Sequence, residues 1–217
     1  QNIMKNLCIA VTIAASSLFS VSAQETTSAR GAQLGVKGGV NFATITGDDF
    51  EDLDSRTSFN AGLVAEFPIS DRFSIQPEVF YSGQGFDIRE IDQDNVFDTD
   101  ENVEYQLDYI QVPILAKLYL VEGLSIEVGP QFGFKINEEI DSQPNSDGGD
   151  VDIDNEDSSV KDFETSIAGG LSYKFTNGFF ISGRYTYGLT NLFDDDSIFE
   201  GVDAKNAVAQ VGIGFMF

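Results

Sequence analysis

Apolar residues recur at every second position in eight stretches of the chain, and this alternation constrains the fold more than any other feature. In the first stretch, Leu34, Val36 and Val40 share one parity, while polar residues and glycine dominate the other. A period of two places successive side chains on opposite faces of a β-strand, whereas an amphipathic helix needs a period near 3.6. The chain after residue 24 is therefore predicted to be all-β, with eight strands.

The connections between these stretches alternate in length. Short turns follow the second, fourth and sixth stretches, whereas the other connections are long. The long connections span residues 45–56, 87–104, 137–162 and 192–204. Short turns at one end and long loops at the other are typical of outer-membrane barrels. We therefore predict an eight-stranded antiparallel up-and-down transmembrane β-barrel over residues 33–217, preceded by a short periplasmic segment at 24–32.

A soluble lipocalin-like barrel is the main alternative, because it also has eight alternating strands, with its apolar face inward. Four features favour the membrane. The polar face carries charges of both signs, the stretches have about 9 to 13 residues, which is the reach that a tilted strand needs to cross a bilayer, and the chain ends on a strand. Aromatic residues also crowd the strand ends beside the short turns, as in an interfacial girdle. These aromatic residues are Phe67, Phe73, Tyr119, Phe175 and Phe179. The last stretch ends with Phe215 and Phe217, which we expect to act as the membrane assembly signal.

The polar face of the predicted strands carries charges of both signs, which we expect to form a network in the lumen. These residues are Lys37, Glu66, Glu78, Lys117, Glu127, Lys135, Glu164, Lys174 and Arg184. An eight-stranded barrel has an interior just wide enough for side chains to fill. A nearly balanced set of charges there should pair and block conductance. In the fourth stretch, Tyr105, Leu107 and Tyr109 have the opposite phase to the outer face, which predicts a bulge or a change of face.

The composition excludes several classes of function. Acidic residues outnumber basic ones 36 to 12, so the chain lacks the basic face that a nucleic-acid binder needs. The sequence contains no histidine. A Ser-His-Asp triad, a Cys-His pair and histidine-ligated zinc or haem are therefore excluded. Serine hydrolysis with a lysine base and chemistry that uses carboxylates alone remain open. We nevertheless expect a protein that is not an enzyme, and no residue is assigned a catalytic role.

Most of the acidic residues fall in the four long loops, which favours a solvated, self-repelling surface. A sharper hypothesis is a site for Ca²⁺ or Mg²⁺ formed by Asp150, Asp152, Asp154 and Glu156, which offer oxygen ligands at alternate positions. The spacing is not that of an EF-hand, and no other metal or cofactor is expected. Such cations could also bridge the loops to anionic lipopolysaccharide.

The N-terminal segment has the three-part form of a secretory signal peptide. Lys5 precedes an apolar run from Leu7 to Phe19, and small residues up to Ala23 fit a cleavage site. The apolar run is shorter than the roughly 20 residues that span a bilayer as a helix. We therefore expect residues 1–23 to be a cleaved signal peptide that exports the chain through the inner membrane.

Three strands resemble those of the PorT-like outer-membrane barrel proteins, a family often labelled porin. Residues 109–117 read YIQVPILAK, residues 35–43 read GVKGGVNFA, and residues 76–82 read QPEVFYS. Gln111 stands where the family more often has glutamate, which we expect to alter a pairing in the lumen. The resemblance covers residues 33–217 and implies a small outer-membrane barrel of the OmpA and OmpX type. The family's founding member is associated with a protein-secretion machine.

These observations favour a non-enzymatic outer-membrane barrel that presents acidic extracellular loops in a structural, adhesive or assembly role. A narrow channel for ions or small solutes and a component of an outer-membrane secretion system are the alternatives. The expected partners are outer-membrane lipid, lipopolysaccharide and the barrel-assembly machinery. A protein partner at the extracellular loops is a further hypothesis, nucleic acid is excluded, and the barrel is expected to be a monomer.

Overall fold

Eight long antiparallel strands and one short strand make up the regular structure. The computed structural model describes residues 31–47, 54–89, 102–141, 150–152, 160–192 and 204–217. The strands are β1 (Gln33–Thr46), β2 (Asp54–Pro68), β3 (Phe73–Arg89), β4 (Asn102–Tyr119), β5 (Leu124–Asp141), β6 (Asp150–Asp152), β7 (Phe163–Lys174), β8 (Phe179–Gly188) and β9 (Lys205–Met216). No helix in these ranges is long and apolar enough to cross a membrane.

The long strands close into a barrel in which neighbours in sequence are neighbours in space. β1 pairs with β2 on one side and with β9 on the other, and β5 pairs with both β4 and β7. The short β6 pairs only with the end of β5. The predicted eight-stranded antiparallel up-and-down barrel is therefore confirmed. The short turns lie at one end of the barrel, called the turn end below, and the strand ends that lead into the long connections lie at the other, called the loop end.

The two faces of the barrel wall differ in polarity. Outward-facing positions carry large apolar side chains that are about half exposed, such as Ile114 and Leu118 on β4 and Val128 on β5. Inward-facing positions are mostly buried and polar, including Gln111 and Lys117 on β4. An apolar belt outside a polar interior is the arrangement of a membrane barrel and the reverse of the lipocalin-like alternative. Closure pairs each of the eight long strands on both sides, so none of these eight has an open edge.

The strands extend further into the predicted loops than the sequence indicated. β1 continues to Thr46, β3 to Arg89 and β5 to Asp141, so the predicted boundaries at residues 45, 87 and 137 lie too early. The reason is physical: beyond the apolar belt both faces of a strand become polar, and the hydrophobic alternation that marks a strand disappears while its backbone pairing continues.

The irregularity expected in the fourth predicted strand lies on its partner instead. β4 keeps its orientation, and Leu107 and Tyr109 point inward like Gln111. The register of β4 with β5 shifts by one residue, with Asp108 opposite Asn137 and Tyr109 opposite Lys135. The extra residue on β5 is Ile136, which faces outward and is half exposed. Such a bulge reverses the alternation beyond it and turns Glu138 into the barrel.

Two glycines on opposite faces of the wall provide a test of packing. A Cβ at Gly62 on β2 would clash with the Val79 carbonyl oxygen and with Phe80, whereas one at Gly183 on β8 would meet nothing within 4 Å. We expect Gly62→Ala to lower the free energy of unfolding by about 1–3 kcal/mol through overpacking. Gly183→Ala should leave it nearly unchanged. Urea unfolding of both variants in detergent measures the difference, and equal effects would contradict the inward placement of Gly62.

Candidate functional site

The interior of the barrel is filled by side chains in four successive layers, and its centre is a cluster called here the arginine layer (Lys37, Glu78, Glu127 and Arg184). Arg184 donates two hydrogen bonds to Glu78, at 2.9 and 2.7 Å, and two to Glu127, at 3.1 and 2.7 Å. Lys37 Nζ lies 2.8 Å from Glu78 Oε2 and 4.3 Å from the centroid of the Phe80 ring. All four charged side chains are nearly inaccessible to solvent. Two cations and two carboxylates balance, and the salt bridges cross the lumen between β1, β3, β5 and β8.

The turn-end layer (Glu66, Lys117, Tyr119 and Lys174) lies below the arginine layer. Lys174 Nζ is 3.0 Å and Lys117 Nζ is 3.7 Å from Glu66 Oε2. The Tyr119 hydroxyl donates to the same carboxylate. Tyr119 was expected in the interfacial girdle, and the structure corrects this, because it shares the inward parity of Lys117. Lys117 also donates to Gln76 Oε1 at 2.9 Å, and Gln76 in turn donates to Glu78 at 2.8 Å, which joins the two layers.

An amide layer (Gln84, Gln111, Gln131, Glu164 and Asn206) lies above the arginine layer. Glu164 is the only charged member. Its carboxylate accepts hydrogen bonds from Gln111 Nε2 at 2.8 Å and from Asn206 Nδ2 at 3.1 Å. Asn206 Nδ2 also donates to Gln84 Oε1 at 2.7 Å. Among the predicted lumen charges, Glu164 is thus the one that the structure pairs with amides and not with a cation.

The loop end of the lumen is closed by an apolar cap (Ile45, Phe86, Leu107, Tyr109, Val160, Leu192 and Ala204). The backbone holds the cap together, since Leu192 N donates to Ala204 O at 2.8 Å and Lys161 N donates to Leu192 O at 2.9 Å. The Tyr105 ring packs against the cap and stacks on Phe86 with 5.2 Å between ring centroids. Burial of these side chains excludes water from the upper lumen.

The remaining predicted lumen residue, Lys135, anchors the rim of the apolar cap. Its Nζ donates to Val160 O at 2.7 Å and forms ion pairs with Glu138 at 2.7 Å and Asp162 at 3.5 Å. Glu138 also accepts a hydrogen bond from the Tyr105 hydroxyl. The structure therefore brings Arg184, Glu78 and Glu127 together, whereas Lys135 pairs separately at the loop end.

Sequence reasoning missed several inward-facing residues. Glu138 lay inside a predicted loop, and only the bulge at Ile136 turns it inward. Phe80 lies under Lys37. The signal for Phe80 was present, because it has the same parity as Glu78 and Ser82, which placed it on the inward face.

The proposed loop cation site lies almost entirely outside the described residues. Asp154 and Glu156 are not described, and for Asp150 and Asp152 only the backbone is described, in β6, where it pairs with Asp141 and Glu139. Within the described ranges, no group of three or more acidic residues could hold a metal ion. The segment at 1–30, with the expected signal peptide, is likewise outside the described residues, so these hypotheses stay predictions.

The C-terminal aromatic residues lie on the outer face at the turn end. Phe217 N donates to Leu34 O at 2.7 Å, which ties the last residue of the chain to β1. The Phe215 ring lies 6.2 Å from Phe179 and 5.6 Å from Phe217 between centroids. An aromatic cluster at the end of the wall has the position of an interfacial girdle.

Comparison with known proteins agrees with this architecture. Residues 22–194 match the family model described as an outer membrane protein beta-barrel domain, which is most of the chain. The match places the chain in the outer membrane and supports the small-barrel part of the resemblance noted above, while the narrower PorT-like label stays a prediction. No curated protein sequence matches the chain.

Solved structures with a similar fold are small outer-membrane barrels. Neisserial surface protein A shares 14% identity with a TM-score of 0.55, over 87% of this chain and all of that chain. Ail, the attachment invasion locus protein of Yersinia pestis, shares 17% identity with a TM-score of 0.47, over 86% of this chain and 99% of that chain. OprG from Pseudomonas aeruginosa shares 12% identity with a TM-score of 0.42, over 89% of this chain and 99% of that chain. At such identities the likeness concerns the fold alone.

Proposed function

The chain belongs to the family of outer-membrane β-barrel proteins, and from this premise we propose that it is a non-enzymatic barrel with a sealed lumen. Its role is structural, adhesive or in assembly. The extracellular loops carry out this role, and the barrel does not transport solutes. The observation that carries the proposal is the filled interior. Salt bridges of Arg184 cross the lumen, and an apolar cap closes its loop end.

The filling of the lumen argues against conduction on energetic grounds. An ion that crosses would have to separate Arg184 from two carboxylates, and breaking a buried pair costs about 3–5 kcal/mol. It would then have to enter the apolar cap, whose side chains are apolar except for the Tyr109 hydroxyl and do not replace its hydration shell. Each barrier alone slows passage, and the two act in series.

The partners in this proposal follow from the two surfaces of the barrel. The apolar belt contacts lipid, and we propose that the acidic loops meet lipopolysaccharide or a protein outside the cell. The Phe215 and Phe217 cluster is the proposed contact for the barrel-assembly machinery during insertion. Closure pairs each of the eight long described strands on both sides and leaves none of them an edge to share with a second copy, which supports a monomer.

Planar-bilayer recording tests the sealed lumen. The full chain is refolded in detergent, its folding is checked by heat-dependent gel mobility, and the barrel is inserted into a bilayer under voltage. We expect no discrete conductance steps from the folded protein. A matched control combines Arg184→Met with Leu107→Ala, which removes a salt-bridge partner and part of the apolar cap, and it should give steps if it folds. Reproducible steps from the unmodified barrel would overturn the proposal in favour of a narrow channel.

A further inference from the structure

Glu164 stands out in the amide layer as a buried charge without a counter-charge. Its side chain is only 6% exposed, and the contacts of its carboxylate are the amides of Gln111 and Asn206. The neighbouring cations are committed elsewhere: Lys135 pairs with Glu138 and Asp162, and Arg184 pairs with Glu78 and Glu127. Burying an ionised carboxylate costs several kcal/mol unless a positive charge compensates it.

The surroundings of Glu164 have an excess of acceptors. The amide oxygens of Gln111, Gln131 and Asn206 are buried and have no hydrogen-bond partner, and the Tyr109 hydroxyl is in the same condition. The amide oxygens can only accept, whereas the Tyr109 hydroxyl can donate as well as accept. Two of these oxygens belong to the same amides that contact Glu164, so they lie beside its carboxylate. A positive ligand would balance the negative charge of Glu164 and give the amide oxygens a partner.

The strand register and the hydrogen bonds of Glu164 bring these side chains together. Gln111 lies opposite Gly133, and Gly133 lies opposite Glu164, so the three follow one row across β4, β5 and β7. A Cβ at Gly133 would lie 2.5 Å from Glu164 Cγ and 2.8 Å from Gln111 Nε2, so the glycine makes room for both side chains. Gln131 precedes Gly133 by two residues on the same face, within reach of Glu164.

We propose that this cluster binds a single alkali-metal cation, of the sodium class, held by the Glu164 carboxylate and by amide oxygens of Gln111, Gln131 and Asn206. Hard cations take such oxygen ligands. One carboxylate balances one positive charge, which fits a monovalent ion better than Ca²⁺. The amide groups of Gln111 and Asn206 turn their oxygens toward the ion when it is bound, since the two ends of an amide are nearly equal in shape.

The site is closed on both sides, which makes the ion structural and not in transit. On β4, Tyr109 of the apolar cap is two residues from Gln111. On β5, Glu127 of the arginine layer is four residues from Gln131. Protonation of Glu164 is the competing way to remove its charge. A single proton supplies one donor, however, and leaves most of the unpartnered oxygens as they are.

The dependence of stability on sodium tests the site. The full chain is refolded in a neutral detergent and unfolded with urea at constant ionic strength, with Na⁺ replaced stepwise by N-methylglucamine. A ligand that binds only the folded state stabilises it by RT ln(1 + [L]/Kd). Above saturation, each tenfold rise in Na⁺ should therefore lower the unfolding equilibrium constant about tenfold. Glu164→Gln should abolish this dependence and make the barrel more stable than the unmodified protein in sodium-free buffer.

Two further variants separate the cation site from a general effect of charge. Glu66→Gln removes another buried lumen carboxylate, one that already pairs with Lys174, and should lower stability while the sodium dependence persists. Gln131→Met keeps Glu164 and removes one neutral ligand, so it should shift the dependence to higher Na⁺ even if Glu164→Gln fails to fold. Stability that does not respond to Na⁺ overturns the proposal. A response to Ca²⁺ alone, or a sodium response that survives in Glu164→Gln, overturns it as well.

Discussion

Replacing Arg184 with methionine is expected to lower the free energy of unfolding of the barrel by about 3–5 kcal/mol. The guanidinium bonds two carboxylates, and the whole group is buried. Removing it leaves Glu78 with Lys37 as its remaining cation and deprives Glu127 of the cation that bonds its Oε1 atom. The loss of one partner from a buried ion pair costs this much because the other charge stays buried without compensation. Urea unfolding of the refolded barrel measures the effect.

A second substitution distinguishes charge imbalance from the loss of packing. Arg184→Met leaves one cation, Lys37, with two carboxylates in the arginine layer, whereas Arg184→Met combined with Glu127→Gln leaves one of each. The double variant should therefore be more stable than the single one, although methionine fills the same space in both. An unchanged unfolding midpoint in the single variant would contradict the role assigned to Arg184. So would a double variant whose loss of stability, relative to the unmodified barrel, equals the sum of the losses of the two single variants.

The wall of the barrel could be predicted from the sequence because membrane and lumen impose opposite polarities on alternate positions. Val36 and Val40 face outward while Lys37 and Asn41 face inward, and each strand within the belt repeats this contrast. The alternation no longer marks the inward face where the interior of the barrel is no longer polar. At the loop end the interior becomes apolar at Leu107, and the inward phase can then no longer be told from the outward phase.

The pairing inside the lumen could be predicted only in part. A strand pattern shows which residues face inward, but the partner of each charge depends on the stagger between strands, which the sequence does not display. Lys135 illustrates this, because its closest carboxylate, Glu138, reaches it only through the bulge at Ile136. Glu164 shows a second limit. The numbers of lumen cations and carboxylates in the sequence are nearly equal, yet the structure pairs the Glu164 carboxylate with amides and not with a cation.

Leu107→Ala is expected to lower the free energy of unfolding by about 2–5 kcal/mol, although the residue lies at the rim of a membrane barrel. Its side chain is fully buried in the apolar cap, between strands and the segments at Val160 and Leu192. Truncation removes buried methyl groups and leaves a cavity that the surrounding wall cannot collapse to fill. Thermal or urea unfolding in detergent measures the effect.

Leu118→Ala is the matched control on the same strand. Leu118 faces outward in the apolar belt and is 42% exposed, so detergent or lipid chains occupy the space that its side chain vacates. No cavity forms, and the expected cost is the transfer of the removed groups alone, which is smaller than the loss from Leu107→Ala because the cavity term is missing. The two variants delete the same atoms from β4 and differ only in the face from which they are deleted. Equal losses of stability would mean that lipid or detergent reaches Leu107. The apolar cap would then not exclude solvent from the lumen, and the case for a sealed barrel would rest on the arginine layer alone.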